Sequence, residues 1–133
     1  METSRLYKIA ERSGVTVDFA KLDHSKAFCI NVGDKNYIAV SRDIRPESAE
    51  ERVVLAHELG HVSTDSLYEL GSPLLYRRRF ERKADRWAIK TLVPLSRLKE
   101  AVKQGYESVT SLAEHFSVTD EFMQKALKFY TDH

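Results

Sequence analysis

Two hydrophobic periods run along this chain, and the switches between them divide it into three parts. Leu6, Ile9 and Ala10 recur at helical spacing within residues 4–12, and Gly14 marks a stop. Val15, Val17 and Phe19 then alternate with polar residues, the period of a strand. Two further short strands are expected over 27–32 and 37–40, around Gly33-Asp34-Lys35-Asn36, a composition suited to a hairpin. Three such strands make a small, mostly antiparallel sheet. From position 48 the helical period returns. Ser48-Ala49-Glu50-Glu51 has the form of a capping box, with Pro46 just outside it. Val53, Val54, Leu55, Ala56, Leu59 and Val62 make the next helix apolar on almost every side, which predicts a central, buried element. A loop with Gly71, Ser72 and Pro73 is expected over 65–76. It leads to a second helix striped by Phe80, Ala84, Trp87, Ala88 and Leu92. The remainder reads as helix over 95–103, stopped by Gly105, and then as a helix-turn-helix-like pair over 109–116 and 119–130. Thr119 is the N-cap of the last helix, and Leu112, Phe116, Phe122, Leu127 and Phe129 are the apolar contacts. The pattern predicts an α+β fold in a single domain, 1–133. Residues 1–46 form the N-terminal helix and sheet, 47–93 the two central helices, and 94–133 a C-terminal helical part.

The buried helix carries polar residues that need a reason. His57-Glu58-Leu59-Gly60-His61 is an H-E-x-x-H sequence, and two His four apart project about 40° apart on one helix face. That spacing lets two imidazoles share one tetrahedral metal. Glu58 lies on the same side, within reach of a proton on a metal-held water without having to be a ligand itself. With 5 His and 12 Glu in the chain, this pattern arises by chance in about 2 of 100 such sequences, so the flanking residues decide its meaning. Glu81 and Asp85 follow at i and i+4 on the second helix, beside Phe80 and Trp87. A carboxylate set against Phe and Trp is expensive unless paired or bound to a metal. Glu81 therefore reads as the third ligand, leaving the open position that catalytic zinc sites keep. Asp85 reads as the acceptor for the free N–H of a ligating His. Asp65, four residues after His61, is a rival third ligand, although no companion residue supports it. Gly60 is unfavourable in a helix by roughly 1 kcal/mol against Ala, which suggests close approach of another element.

In combination these stretches resemble a known family. Val53-Val54-Leu55-Ala56-His57-Glu58-Leu59-Gly60-His61, then Glu81-Arg82-Lys83-Ala84-Asp85-Arg86-Trp87-Ala88, then Leu92-Val93-Pro94, are similar to the ImmA/IrrE metallo-endopeptidases, within the gluzincin arrangement. The alternative metzincin pattern requires Gly at position 64 and His at 67, where this chain has Thr64 and Leu67. The resemblance implies a small sheet packed on zincin-like active-site helices. It implies His57, His61 and Glu81 as metal ligands and Glu58 as general base. It also implies a cytoplasmic enzyme, often carried by phages or other mobile elements, that cleaves helix-turn-helix repressors. Zinc is the expected metal, with manganese as the alternative. In zincin-like folds the sheet offers an edge strand to an extended substrate, and the same is expected here.

Composition narrows the alternatives. A chain of 133 residues can bury one core, and a net charge of +1 exerts no global pull toward nucleic acid or membrane. No apolar run approaches membrane-spanning length, and the N-terminus lacks a signal peptide's apolar stretch. The single Cys29 sits in an apolar run and reads as a buried strand residue in a reducing compartment. Arg77, Arg78, Arg79, Arg82, Lys83 and Arg86 are a dense basic cluster. Arg78, Arg82 and Arg86 are expected on a solvated face away from Glu81, with steering of an acidic substrate as the functional alternative. Tyr68 and Tyr76 in the loop are candidate donors to a developing oxyanion, against a bland reading as surface tyrosines. His24, His115 and His133 have no ligand spacing. The rival function is a DNA-binding or regulator-docking protein that holds a metal without peptidase turnover. Against DNA binding, residues 108–133 carry two Lys and four acidic residues, with Asp120 and Glu121 at the start of the would-be recognition helix.

Overall fold

The computed structural model describes residues 2–68 and 71–132. Its elements are α1 (Thr3–Arg12), β1 (Val15–Ala20), β2 (Ala27–Val32), β3 (Lys35–Ser41), α2 (Ala49–Ser63), α3 (Leu74–Leu92), α4 (Leu95–Lys103), α5 (Val109–Phe116) and α6 (Asp120–Asp132). The fold is α+β, as the periodicities predict. The three strands form one sheet in the order β1-β3-β2. β2 and β3 are an antiparallel hairpin pairing Cys29 with Ile38, whereas β1 runs parallel to β3 and pairs Val17 with Ile38. The sheet is therefore mixed, because the chain leaving β1 passes over β3 before entering β2. Gly33 turns the hairpin with a φ of 68°, the positive value a two-residue hairpin turn needs at its first central position.

Alternation along the strands decides which face is covered. Val15, Ile38 and Val40 point into the core, and Ala27 and Cys29 share their face half-buried. Phe28, Ile30 and Val32, on the other face of β2, stay 40–59% exposed. β2 thus forms an edge of the sheet next to α2.

The central helix α2 is buried along one broad face, whereas Val53, Val54, His57 and Glu58 on its other side are half-buried, so the all-round burial expected from its apolar circumference is only partly met. Leu55, Ala56 and Leu59 are fully buried, and truncating either leucine to Ala costs about 2–5 kcal/mol in such positions. The start of α2 departs from the expected box. Ser48 Oγ accepts from the Glu51 N–H at 3.1 Å, but Glu51 reaches one residue further back and accepts from the Glu47 N–H at 3.0 Å. Its other oxygen accepts from the Tyr7 hydroxyl at 3.2 Å, which ties α1 to α2. Helix α3 begins at Leu74, directly after Pro73 and earlier than expected; Tyr76 is therefore helical and exposed.

α3 packs on α2 more closely than side chains normally allow. An ideal Cβ at Gly60 would lie 2.5 Å from the backbone oxygen of Ala84, so only glycine permits this approach. The core continues through Ile89, Leu92 and Val93 into Leu112, Phe122, Met123 and Ala126 of the C-terminal helices. Thr119 caps α6 by accepting from the Phe122 N–H at 3.2 Å, and Tyr130 on α6 donates its hydroxyl to the Val93 carbonyl at 2.7 Å. No helix among the described residues is long and apolar enough to cross a membrane.

Candidate metal centre

The close approach at Gly60 brings the third turn of α2 against the second turn of α3. One ligand atom from each of His57, His61 and Glu81 falls within 4.8 Å of the others. His57 Nε2 lies 2.7 Å and His61 Nε2 3.3 Å from the same Glu81 oxygen, Oε2. The imidazole rings are edge-on, 4.9 Å between centroids, so both Nε2 atoms point at one locus.

Each ligand is oriented from behind. His57 Nδ1 is 2.9 Å from Asp85 Oδ1, and His61 Nδ1 is 2.9 Å from the Ser66 carbonyl oxygen. A carbonyl only accepts, so His61 Nδ1 carries the proton and, in the neutral ring, leaves the Nε2 lone pair facing the locus. The Tyr68 hydroxyl donates to Glu81 Oε1 at 2.7 Å, leaving Oε2 for the cluster. This donor set, two imidazole nitrogens and one carboxylate oxygen with anchored outer atoms, fits a divalent cation with one position left open.

The electrostatics fit the same picture. Burial lowers the affinity of His57 for a proton, but hydrogen bonds to Asp85 and Glu81 outweigh it and raise its pKa to about 10. Burial pushes Glu81 up, yet hydrogen bonds from His57, His61 and Tyr68 hold it well below the usual carboxylate range. In the absence of a metal, protons thus occupy the place of the cation. Glu58 is raised by burial against the pull of His57 and His61, so its carboxylate is more basic than a solvated one.

The expected residues converge, with two revisions. Asp65 is exposed and lies outside the cluster. It takes a φ of 52° as the left-handed residue that ends α2, where its N–H bonds the Val62 carbonyl and the Ser66 N–H returns to the His61 carbonyl at 2.8 Å. That turn is what delivers the Ser66 carbonyl to His61. Arg78 and Arg82, expected away from Glu81, line with Arg77, Tyr68, Leu74, Glu81 and Asp85 an open cleft of about 430 Å³. At about 100° per residue, Arg78 and Arg82 lie roughly 60° and 100° around the helix from Glu81, beside Asp85 at about 40°, close enough to border the acidic stripe.

The part that three residues play is not legible in the sequence. Ser66 acts through a backbone carbonyl, which no residue identity advertises. Tyr68, a candidate oxyanion donor against a bland reading as a surface tyrosine, instead has its hydroxyl engaged with Glu81. Lys125, forty positions beyond Asp85, lies 3.3 Å from Asp85 Oδ2. Cys29 is half-buried, and burial together with the charge of Glu58 raises its thiol to about 12, which keeps it a protonated packing residue. His115 packs against Tyr106 with centroids 4.3 Å apart, His24 is exposed, and His133 lies outside the described residues.

No curated relative matches the chain. The family model for the IrrE N-terminal-like domain matches residues 10–128, a span that holds the H-E-x-x-H helix, Glu81, Asp85 and most of the C-terminal helices. The chain belongs to this family of peptidases and is a metallopeptidase, a hydrolase of peptide bonds.

Proposed function

We propose that the protein is a zinc-dependent endopeptidase whose substrate is a protein regulator of the helix-turn-helix repressor class, of the kind encoded by phages and other mobile elements. The observation that carries this reading is the convergence of His57, His61 and Glu81 with every outer ligand atom anchored and Glu58, half-buried, next to His57 on the same helix. Two nitrogens and one oxygen suit zinc better than manganese, which favours oxygen-rich sites. A divalent cation at this locus polarises a carbonyl and lowers the pKa of water.

The residues of the chain supply the rest. His57, His61 and Glu81 hold the cation, and Asp85, Ser66 and Tyr68 hold those three in place. Glu58 accepts a proton as water attacks the scissile carbonyl and delivers it to the departing amine. The free edge of β2 offers its backbone N–H and C=O groups to an extended substrate segment, which seats it along the face of α2. Arg77, Arg78 and Arg82 at the cleft favour acidic residues in that segment. The whole chain is read as one metallopeptidase domain acting in the cytoplasm, with 94–133 as a helical subdomain that docks partners.

The test is incubation of the zinc-loaded protein with purified helix-turn-helix repressors encoded beside its gene, followed by mass spectrometry of the products. Wild type is expected to release two fragments from one of them, and Glu58→Gln none, although it retains metal. Equal cleavage by Glu58→Gln would end this mechanism.

A further inference from the structure

The rear of the active-site helix holds a second polar cavity. At about 100° per residue, Arg52 lies roughly 140° from His57 and 180° from His61 around α2. There a cavity of about 550 Å³ is lined by Glu2, Arg5, Arg52, Arg97 and Ser117. Its three arginines come from three elements, α1, α2 and α4, and Ser117 comes from the left-handed turn between α5 and α6.

Arg52 is the unusual member. It is only 9% exposed, and its Nε and Nη1 are buried with no hydrogen-bond partner among the described residues. Leaving such donors unpaired is unfavourable by about 1–3 kcal/mol or more for a charged group. Glu2 and Glu51 attract the Arg52 charge, but neither accepts a hydrogen bond from Nε or Nη1; the Glu51 oxygens are turned to Glu47 N–H and Tyr7 O–H. Glu2 is the single carboxylate in the lining, set against three guanidinium groups. Arginines on separate elements repel one another unless something negative sits between them.

The geometry points to a binding site for a phosphate-class oxyanion, either free phosphate or the phosphoryl group of a small metabolite, held by Arg5, Arg52 and Arg97. A guanidinium presents its donors as a planar fork that matches the oxygens of such a group, and the resulting charge-assisted bonds are roughly twice as strong as neutral ones. The cavity is large enough for a small organic phosphate as well as the bare ion. An occupant would fasten α1 and α4 to the back of the helix that carries His57 and His61. The site is independent of the proposed substrate and of the identity of the metal.

Calorimetric titration of the metal-loaded protein at constant ionic strength tests it, with inorganic phosphate in one arm and glycerol 3-phosphate in the other. Wild type is expected to give saturable one-to-one binding in at least one arm. Tighter binding of glycerol 3-phosphate identifies a phosphorylated metabolite as the ligand class; equal or tighter binding of phosphate identifies the free ion. Arg52→Met should abolish binding. Because removing a buried guanidinium also disturbs packing, the deciding variant is the exposed pair Arg5→Gln/Arg97→Gln, which should fold as wild type and bind at least about tenfold more weakly. Absence of saturable binding in both arms overturns the proposal. So does undiminished binding in the double variant, which would place the anion elsewhere, for instance on the active-site metal.

Discussion

Replacing Gly60 with Ala tests whether the approach of the two helices builds the metal centre. Local propensity favours the change, since Ala is better than Gly inside a helix by about 1 kcal/mol. The tertiary structure opposes it. The new methyl would meet the Ala84 backbone oxygen at 2.5 Å, its Cα at 3.0 Å and its carbonyl carbon at 3.1 Å, and backbone atoms cannot rotate aside. Ordinary contact begins near 3.4 Å, so α3 must retreat by about 0.9 Å. Overpacking of this kind costs about 1–3 kcal/mol, which outweighs or cancels the propensity gain. The net loss of about 0–2 kcal/mol lowers the melting temperature by at most a few degrees per kcal/mol. The effect on the metal is larger in proportion. Glu81 lies less than one turn from Ala84 and moves with it, whereas ligand distances in metal sites hold to about 0.2 Å. Gly60→Ala is therefore expected to fold, to melt at or slightly below the wild-type temperature, and to lose at least about tenfold in zinc affinity. Calorimetric melts together with a zinc titration against a chromophoric chelator measure both. A variant that melts higher than wild type and whose titration overlays it would refute the idea that this contact sets the ligand geometry.

Other outcomes follow from the same geometry. His57→Ala, His61→Ala and Glu81→Ala should each lose metal on dialysis by elemental analysis. Asp65→Gly, which removes the carboxylate but keeps the left-handed turn, should retain it; the reverse pattern would reinstate Asp65 as the ligand. Asp85→Asn fits the same space but turns an amide toward His57 Nδ1, so zinc affinity or cleavage should fall about 10–100-fold while the melt of the metal-free protein still shows a single folded transition. An unchanged titration would reduce Asp85 to a surface partner of Lys125. In the metal-free protein, His57 is raised from its usual value to about 10, so its contribution to stability is complete below about pH 6.5 and is lost as the pH climbs through 10. Glu81 is depressed, so its contribution is present above about pH 4.5 and is lost as the pH falls toward its much lower folded value. Melts of the metal-free protein should therefore peak between about pH 4.5 and 6.5. Zinc uptake near pH 7 should release protons into a weakly buffered solution and strengthen with rising pH; uptake without proton release would contradict the protonated cluster.

The parts of the fold that announce themselves in sequence are those where local chemistry and tertiary structure agree. Val15 and Val17 alternate because one face of β1 is covered, whereas Phe19 near its end is 40% exposed, and the apolar residues of α2 match its central place, with Leu55, Ala56 and Leu59 fully buried. The direction of β1 was not legible, because alternation has the same period in parallel and antiparallel pairs and the connecting segment 21–26 carries no directional mark. The grouping of His57, His61 and Glu81 was readable for a similar reason. His57 and His61 share one helix face by arithmetic, and Glu81 with Asp85 repeats that arithmetic on α3. What the sequence hides is how the two helices meet and what lies behind the ligands. Gly60 gave a hint of the first through its unfavourable place in a helix, without naming Ala84. The Ser66 carbonyl and Lys125 gave none, since one is backbone and the other reaches Asp85 only through the packing of α6.

That last contact changes the meaning of the C-terminal pair. α5 and α6 have the outline of a DNA-reading unit, yet α6 spends two of its side chains on the body of the enzyme: Tyr130 on the Val93 carbonyl and Lys125 on Asp85. Asp85 divides its two oxygens between α2 and α6, Oδ1 to His57 and Oδ2 to Lys125. The Lys125 pair is half-exposed, and such pairs contribute at most about 1 kcal/mol to stability. Its consequence is geometric: with Oδ2 occupied, the carboxylate plane is fixed and Oδ1 is the atom left for the imidazole. Asp120 and Glu121, meanwhile, place negative charge at the start of α6, the end that a recognition helix turns toward the negatively charged duplex. The residues that would have to read DNA are thus the wrong sign, and one of the cations on the same helix is drawn inward to the ring around His57. The last helix, α6, is better understood as a support behind the candidate metal centre, holding through Lys125 the carboxylate that orients His57.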